Sequence, residues 1–254
     1  MKPILLFHLL CFSVWSPAQT TPIESIPHQS PTVHKIPDGI TIDHVMDAHE
    51  AALGGKEKLA SVTSLETYME TENPMVGGIL IVLKQMEGHM LQEVILKSSM
   101  SIMMKAVITP KESFIVQQGQ QMKMPPDAKK GFQSLIDDGF FSNIPKIRSQ
   151  GTLVGIETSE TEDFYKITMP SEVSDSDDEF YFGVQTGHLL KSLVTADKMG
   201  QKSRVETLYS DFKSFDGIMF AGTTEVSGGN GMPAEVMTLK NVKVNSGLTS
   251  EDFK

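Results

Sequence analysis

The chain has 254 residues, of which 39% are hydrophobic and 21% are charged, and these proportions exclude a disordered tail and a collagen-like fibre. The formal net charge of −10 argues against binding to nucleic acid or to an anionic membrane surface, because both require clustered Lys and Arg. The single cysteine excludes a disulfide framework. A chain of this length can instead be stabilised by burial, as one large domain or two small ones.

The first eighteen residues have the pattern of a secretory signal peptide. Lys2 gives a positive start, residues 4–14 are almost entirely apolar, and Ser16-Pro17-Ala18 offers small residues for cleavage. The apolar run is too short to span a bilayer, which takes about 20 residues. An uncleaved anchor is the alternative. Cleavage after Ala18 would export a mature chain to the periplasm or the medium, without cysteine and without a transmembrane segment.

A folded domain is predicted to begin near residue 40. Residues 19–39 carry four prolines among polar residues, which predicts a disordered tether, since proline disrupts both helices and sheet ladders. Residues 40–62 then show helical spacing, with Asp43 as the expected N-cap. Gly54-Gly55 should end that helix and let a second short helix follow. The domain is expected to occupy residues 40–254.

After Ser64 the hydrophobic period changes to two, which predicts a series of β-strands. In the first half, strands are predicted over residues 65–70, 75–85, 90–97, 100–109, 114–118 and 122–124. In the second half, they are predicted over residues 152–160, 164–169, 179–184, 189–197, 202–212, 223–226 and 235–244. Short turns between them favour antiparallel neighbours, and some dozen strands in one open sheet should curl.

One helix is predicted to interrupt the strands, over residues 126–138. Phe132, Leu135 and Ile136 fall on one face of it. Gly131 in its middle weakens it by about 1 kcal/mol relative to alanine. We expect this helix to lie against the concave side of the sheet as a lid that can undock. The alternative is that Gly131 allows a close and permanent approach to the sheet.

The sequence carries no clear motif for catalysis or metal binding. It lacks the G-x-S-x-G turn of hydrolases and the G-x-x-x-x-G-K-[ST] phosphate loop. His44 and His49 are five residues apart, about 140° around a helix, which favours a solvated polar face over a zinc pair. The acidic run of residues 175–179 lacks the glycine and the distal glutamate of a calcium loop and is expected to be a solvated turn. We predict a protein that is not an enzyme and needs no cofactor or metal.

Methionine is the unusual residue, with 16 in the chain. It fills irregular apolar space and is frequent at adaptable binding surfaces. An ordinary methionine-rich core is one interpretation, and a deformable cavity for a flexible guest is the other. The candidate cavity and lid residues are Met69, Ile81, Leu83, Met90, Met103, Phe132, Leu135 and Ile136.

Three stretches of the chain together resemble a known family. They are Asp47–Leu59, which ends in A-L-G-G-K-E-K-L, then Tyr209–Phe212 with Phe215–Phe220, and finally Leu239–Asn245 with Leu248–Phe253. Their order and spacing resemble the outer-membrane lipoprotein-sorting proteins of the LolA/LolB superfamily, and in particular its Bacteroidetes-type members. The resemblance covers residues 42–254.

The resemblance implies an α+β fold, mainly antiparallel β, built as a single unclosed half-barrel with helices packed on the concave face. It also implies a non-enzymatic periplasmic binder or carrier of an acyl chain or lipoprotein, a transport chaperone in function. Leu10 precedes Cys11 where a lipoprotein signal needs a small residue, so an acylated, membrane-anchored acceptor is not expected. The alternative is a secreted accessory module that docks on an envelope protein and fills its own cavity. We expect a monomer.

Overall fold

The computed structural model describes residues 33–125, 129, 140–141, 143–159, 162–198, 201–228 and 234–254. The predicted signal peptide, most of the predicted tether and nearly all of the predicted helix over residues 126–138 lie outside the described residues. The helices of the described part are α1 (Ile42–Leu53), α2 (Lys56–Ala60), α3 (Asn143–Gln150) and a C-terminal 3-10 helix (Ser250–Phe253).

The strands account for most of the described chain. The first group is β1 (Val33–His34), β2 (Ser64–Asn73), β3 (Gly77–Met86), β4 (His89–Leu96), β5 (Ser101–Ile108), β6 (Ser113–Gln117) and β7 (Gln120–Lys123). The second group is β8 (Thr152–Glu157), β9 (Phe164–Met169), β10 (Asp178–Gly183), β11 (Leu189–Lys198), β12 (Gln201–Ser210), β13 (Lys213–Phe215), β14 (Ile218–Phe220), β15 (Thr223–Gly228) and β16 (Glu235–Val244).

Fourteen of these strands form one antiparallel sheet in the order β1-β8-β9-β10-β11-β12-β15-β16-β2-β3-β4-β5-β6-β7. The two groups meet where β16 pairs with β2, with Leu65 opposite Val244. The outer strands β1 and β7 do not pair with each other, so the sheet stays open. The predicted α+β half-barrel is therefore confirmed. β13 and β14 form a separate two-stranded hairpin, which the sequence analysis missed.

Alternating side chains divide the sheet into two faces. In β4, Met90 and Val94 point to the face that carries the main core, together with the helices. Leu91 lies between them in sequence and points to the opposite face, where it packs with Val107 and Phe253 of the C-terminal 3-10 helix. We call the helix-bearing face the concave face and the other the convex face.

The N-cap of helix α1 lies two residues before the predicted one. Thr41, and not Asp43, is the N-cap, since Thr41 Oγ1 accepts a hydrogen bond from the His44 amide at 3.3 Å. The predicted stop at Gly54 is confirmed, with a φ of 125° that glycine adopts without strain. The second short helix also follows as predicted, as α2.

Two turns that contain glycine lie directly against α1. A Cβ atom on Gly187, in the turn between β10 and β11, would lie 2.7 Å from the carbonyl oxygen of Ala48. A Cβ atom on Gly54 would lie 2.5 Å from the carbonyl oxygen of Gly217, in the turn between β13 and β14. Contacts this close are open only to glycine, so both turns let the helix approach the sheet.

Two further elements differ from the sequence-based expectations. Val33–His34 lie within the predicted tether, yet they form β1 and pair with β8, so the end of that segment is part of the sheet. Helix α3 was not predicted, and it contains Pro145 as its third residue. Proline is tolerated in the first turn of a helix, and α3 buries Ile144 within that turn and Ile147 after it.

Candidate ligand-binding face

The concave face of β2–β5 is mostly apolar, although Thr71 and Gln92 are buried polar residues within it. One lateral row of paired residues crosses five adjacent strands, and each of its members is at most 8% exposed. The row consists of Leu239, Met69, Ile81, Val94 and Met104. Methionine adapts its shape more readily than branched or aromatic side chains, so this surface can fit guests of different shape.

The predicted cavity residues divide into three groups. Met69, Ile81, Leu83 and Met90 all belong to the main core on the concave face. Met103 does not: it lies at a register shift between β4 and β5 and is 36% exposed. The predicted lid residues Phe132, Leu135 and Ile136 lie outside the described residues.

A second row crosses the other half of the concave face and is partly polar. Its members are Ile167, Phe180, Ser192, Thr207 and Val226.

Ser192 and Thr207 bring hydroxyl groups into an otherwise apolar surface, and both are at most 1% exposed. Ser192 Oγ lies 3.3 Å from the Tyr209 hydroxyl, and Thr207 Oγ1 is buried without a hydrogen bond of good geometry. Burial raises the pKa of Tyr209 to about 12, so it is a neutral donor at all working pH values. We call these three side chains the hydroxyl cluster, and it could bind the ester or amide carbonyl of a ligand. The sequence analysis missed it, although Ser192 and Thr207 take the places of apolar residues in alternating strands.

His49 of α1 is buried and not part of a solvated face, which corrects the sequence-based expectation. His49 Nδ1 lies 2.9 Å from the Gly187 carbonyl oxygen, and the ring packs edge-on against Phe182 with centroids 4.9 Å apart. Burial, opposed by the hydrogen bond to Gly187 and assisted by the nearby His188, lowers the pKa of His49 to about 4. His49 is therefore neutral at pH 7. His44 is exposed, so the two rings do not converge.

The acidic run is also more ordered than expected. Asp178 is 2% exposed, and its Oδ1 accepts a hydrogen bond from the Thr195 amide at 2.9 Å. Arg204 lies beside it and pairs with Glu179 at 3.0 Å. The end of this run is thus the start of β10 and not a solvated turn. Among the residues that the structure describes, no three His, Cys, Asp or Glu side chains are grouped to hold a metal ion.

The convex face over β8–β10 is charged and internally paired. Lys166 Nζ lies 2.8 Å from Glu179 and 3.2 Å from Glu157. Partial burial would lower the pKa of Lys166, but its hydrogen bonds to Glu179, Tyr181 and Glu157 outweigh this and raise it. An apolar guest would have to break these pairs on the convex face, whereas the concave face offers it apolar contacts.

No protein-family model matches the chain, and no curated protein matches its sequence. Solved structures do match its fold. A structure named as an outer membrane lipoprotein-sorting protein domain, from Vibrio parahaemolyticus, has a TM-score of 0.55 at 13% identity, with 84% of this chain and 97% of that chain covered. A LolA superfamily protein from Nitrosomonas europaea has a TM-score of 0.53 at 11% identity, with 85% and 98% covered. A DUF1329 family protein from Desulfovibrio piger has a TM-score of 0.55 at 12% identity, with 84% and 97% covered.

Identities this low establish the fold and not the function. Two of the three stretches that carried the resemblance meet in space, and the third is hydrogen-bonded to the residues that follow the first. Gly54 of the first contacts Gly217 of the second. Asn245 of the third accepts a hydrogen bond from the Thr63 amide at 2.7 Å and donates one to the Ser61 carbonyl at 3.1 Å. The Bacteroidetes-type assignment stays a prediction, and the chain has the same fold as these solved structures, one of which is named as a LolA superfamily protein.

Proposed function

We propose that this protein is a non-enzymatic carrier of an acyl chain, presented by a lipid or a lipoprotein, in the cell envelope. The observation that carries the proposal is the methionine-lined concave face of β2–β5, with Met69, Met90 and Met104 in one core. The names of the structures with the same fold support it, since two of them refer to lipoprotein sorting or to LolA.

The energetics of transfer favour a surface of this kind. Burial of one CH₂ group contributes about 0.8 kcal/mol, so a long acyl chain gains on the order of 10 kcal/mol. A bilayer offers the chain the same gain, and a carrier must therefore bind with similar affinity so that it can both load and release. A deformable methionine surface suits that balance better than a rigid aromatic one. The hydroxyl cluster of Ser192, Thr207 and Tyr209 would bind the polar end of the acyl chain.

The place of action is proposed from the sequence. The predicted signal peptide supports export, and the acyl ligand supports a place beside a membrane. None of the described helices is both long enough and apolar enough to cross a bilayer. A cover formed by residues 126–138, which follow β7 closely in the chain, stays a proposal from the sequence.

A second candidate function has one observation in its favour. Ile81, Met90, Ala106 and Ile108 are fully buried on the concave face. A face closed this completely also suits an accessory module whose cavity is filled by its own chain. Native mass spectrometry of the protein purified from its own envelope separates the two functions. Bound lipid or lipoprotein supports the carrier, and its reproducible absence supports the accessory module.

Two buried alanines provide a matched test of where the guest lies. Ala106 of β5 and Ala196 of β11 are both fully buried in the main core. Ala106→Leu fills the methionine-lined half and should raise the fatty-acid concentration that displaces an apolar fluorescent probe at least tenfold. Ala196→Leu fills the other half and should change that concentration by no more than about twofold. Each change costs about 1–3 kcal/mol of stability by overpacking, so unequal binding cannot come from unfolding alone. Equal binding by the two variants would contradict the proposal.

A further inference from the structure

A cavity of about 390 Å³ opens at the free edge of the sheet, beside β7. Lys111, Lys123 and Lys129 surround it, and the rest of its polar wall consists of Glu112, Ser113 and Gln121. We call this cavity the lysine pocket. It is separate from the methionine-lined row described above, because it lies at the last strand, where the two faces of the sheet meet.

The lysine pocket is a positive site in a negative protein. Its three lysines and one glutamate give a local net charge of +2 (3 − 1), whereas the whole chain carries −10. Other lysines such as Lys97 and Lys166 are paired with carboxylates within 4 Å. Within the described part of the chain, no ion pair joins Lys111, Lys123 or Lys129 to an acid. Unpaired cations around a concavity raise the local concentration of anions.

The backbone holds these lysines in place. Thr109 Oγ1 accepts hydrogen bonds from the amides of Lys111 and Glu112 at 3.2 and 3.1 Å, which fixes the turn between β5 and β6. Lys123 pairs with Phe114 across the edge of the sheet. The amide of Lys129 donates to the Pro125 carbonyl at 2.8 Å. The cations therefore come from three separate pieces of chain that share one rim.

The wall of the lysine pocket has an unused hydroxyl and two apolar sides. Ser113 Oγ is buried and has no hydrogen-bond partner, which is rare for a buried polar group. Met124 is 3% exposed and belongs to the main core, while Phe114 packs with the cluster on the convex face. A ligand anchored here would have its charged group at the rim and apolar contacts beside Met124.

We propose that the lysine pocket binds a phosphate group, either free or as the headgroup of a lipid. A phosphate offers several acceptor oxygens to three ammonium groups, which bind it as point charges, and it would also accept from Ser113. The lipid form rests on the proposed carrier function, because the acyl chains would lie on the concave face. The free form does not depend on that function.

The test compares two triple variants that lose the same charge. Lys111→Gln/Lys123→Gln/Lys129→Gln removes the lysine pocket. Lys35→Gln/Lys56→Gln/Lys202→Gln removes three exposed lysines elsewhere. Inorganic phosphate is titrated into each protein by calorimetry at low ionic strength. We expect saturable binding by the wild type, a loss of at least tenfold in the pocket variant, and a change within twofold in the control variant.

Two short lipids identify the source of the phosphate. Dioctanoyl phosphatidylglycerol and dioctanoylglycerol carry the same chains, and only the first has a phosphate. If the headgroup is the ligand, the pocket variant loses affinity for the first and keeps affinity for the second. If only inorganic phosphate depends on the lysines, the site takes the free ion. Equal phosphate binding by the two variants, or equal competition by acetate, would overturn the proposal. Failure of dioctanoylglycerol to bind any protein would instead contradict the carrier function.

Discussion

The two halves of the sheet line one concave face with different side chains. On β2–β7, all of which are described, no aromatic residue belongs to the main core, and Met69, Met90 and Met104 are prominent. On β8–β12 the same face carries Phe180 and Phe182. Helix α1 packs against β14, and helix α3 packs against β9. We call β2–β7 the methionine half of the sheet and β8–β12 the aromatic half.

The difference suggests that the two halves of one continuous sheet have different roles. Aromatic rings have fixed shapes and hold a helix in one place, as Phe182 does against His49 of α1. Methionine side chains rearrange at little cost and suit a surface whose contacts change. The aromatic half is thus the stable scaffold, and the methionine half is where a guest can be exchanged. The four predictions below test this comparison, beginning with the largest expected effect.

Phe182→Ala should be the most damaging of these changes, because the ring is fully buried in the aromatic half. We expect the free energy of unfolding to fall by about 3–5 kcal/mol in urea denaturation. Leu208→Ala, at a side chain that is 39% exposed, is the control and should change stability by less than about 0.5 kcal/mol. A small loss for Phe182→Ala would mean that the aromatic half is as adaptable as its counterpart.

Acidification should loosen α1 from the aromatic half. The pKa of His49 is lowered to about 4 in the folded protein, below its ordinary value of 6.5, so the unfolded chain binds the proton more tightly. Stability is therefore full above pH 6.5 and falls as the pH drops from 6.5 towards 4, by up to about 3 kcal/mol. Burial also lowers the pKa of His188, which acts in the same direction.

His49→Gln isolates this contribution, because its amide can still donate to the Gly187 carbonyl. We expect the variant to lose less stability than the wild type between pH 6.5 and 4.5, as measured by urea denaturation at each pH. Carboxylates titrate in both proteins, so only the difference between them is informative. Parallel pH profiles would show that His49 does not couple α1 to pH.

The methionine half should tolerate substitutions that keep volume. Met90→Leu combined with Met104→Leu should cost less than about 1.5 kcal/mol per site, although both side chains are almost completely buried. The same protein should bind a narrower range of fatty-acid chain lengths, because leucine adapts its shape less well than methionine. Unchanged selectivity in the probe-displacement assay would argue against a role for methionine in binding.

The smallest effect is expected at the contact between α1 and α3. Arg148 of α3 pairs with Asp43, Asp47 and Glu50 of α1 at 3.0, 2.8 and 2.8 Å. Two of these carboxylates are largely exposed, so Arg148→Met should cost about 1 kcal/mol in total. The loss should shrink in 1 M NaCl, since salt screens such pairs. A loss of stability that does not depend on salt would indicate that the aliphatic part of the Arg148 side chain contributes through packing instead.

Local patterns in the sequence predicted most of the elements. The change of hydrophobic period at Ser64 located β2–β7 to within three residues, and Gly54-Gly55 located the break between α1 and α2. Local patterns failed where the signal was weak or ambiguous. β13 and β14 are three residues each, too short to show alternation, and α3 is a helix of only 8 residues.

The candidate site was predicted less well, because burial depends on contacts between distant parts of the chain. His49 follows Val45 and Met46 at helical spacing, which was a signal for the buried face of α1. Its polarity outweighed that signal in the sequence analysis. The pairing of β16 with β2 could not be predicted either, since no turn connects them. The hydroxyl cluster of Ser192, Thr207 and Tyr209 comes together only when β11 and β12 are paired in register.

The pairing of β2 with β16 has a consequence for how the protein folds. Leu65 opposite Val244 joins strands from opposite ends of the folded domain, and this seam lies in the middle of the sheet. Each side of the seam is largely made of hairpins that can form locally, but the seam itself must close a very long loop of chain. A growing chain that has not yet released β16 holds two partial sheets with open edges, and such edges invite aggregation. Completion of the single sheet must therefore wait until the last strand, β16, is free to pair with β2.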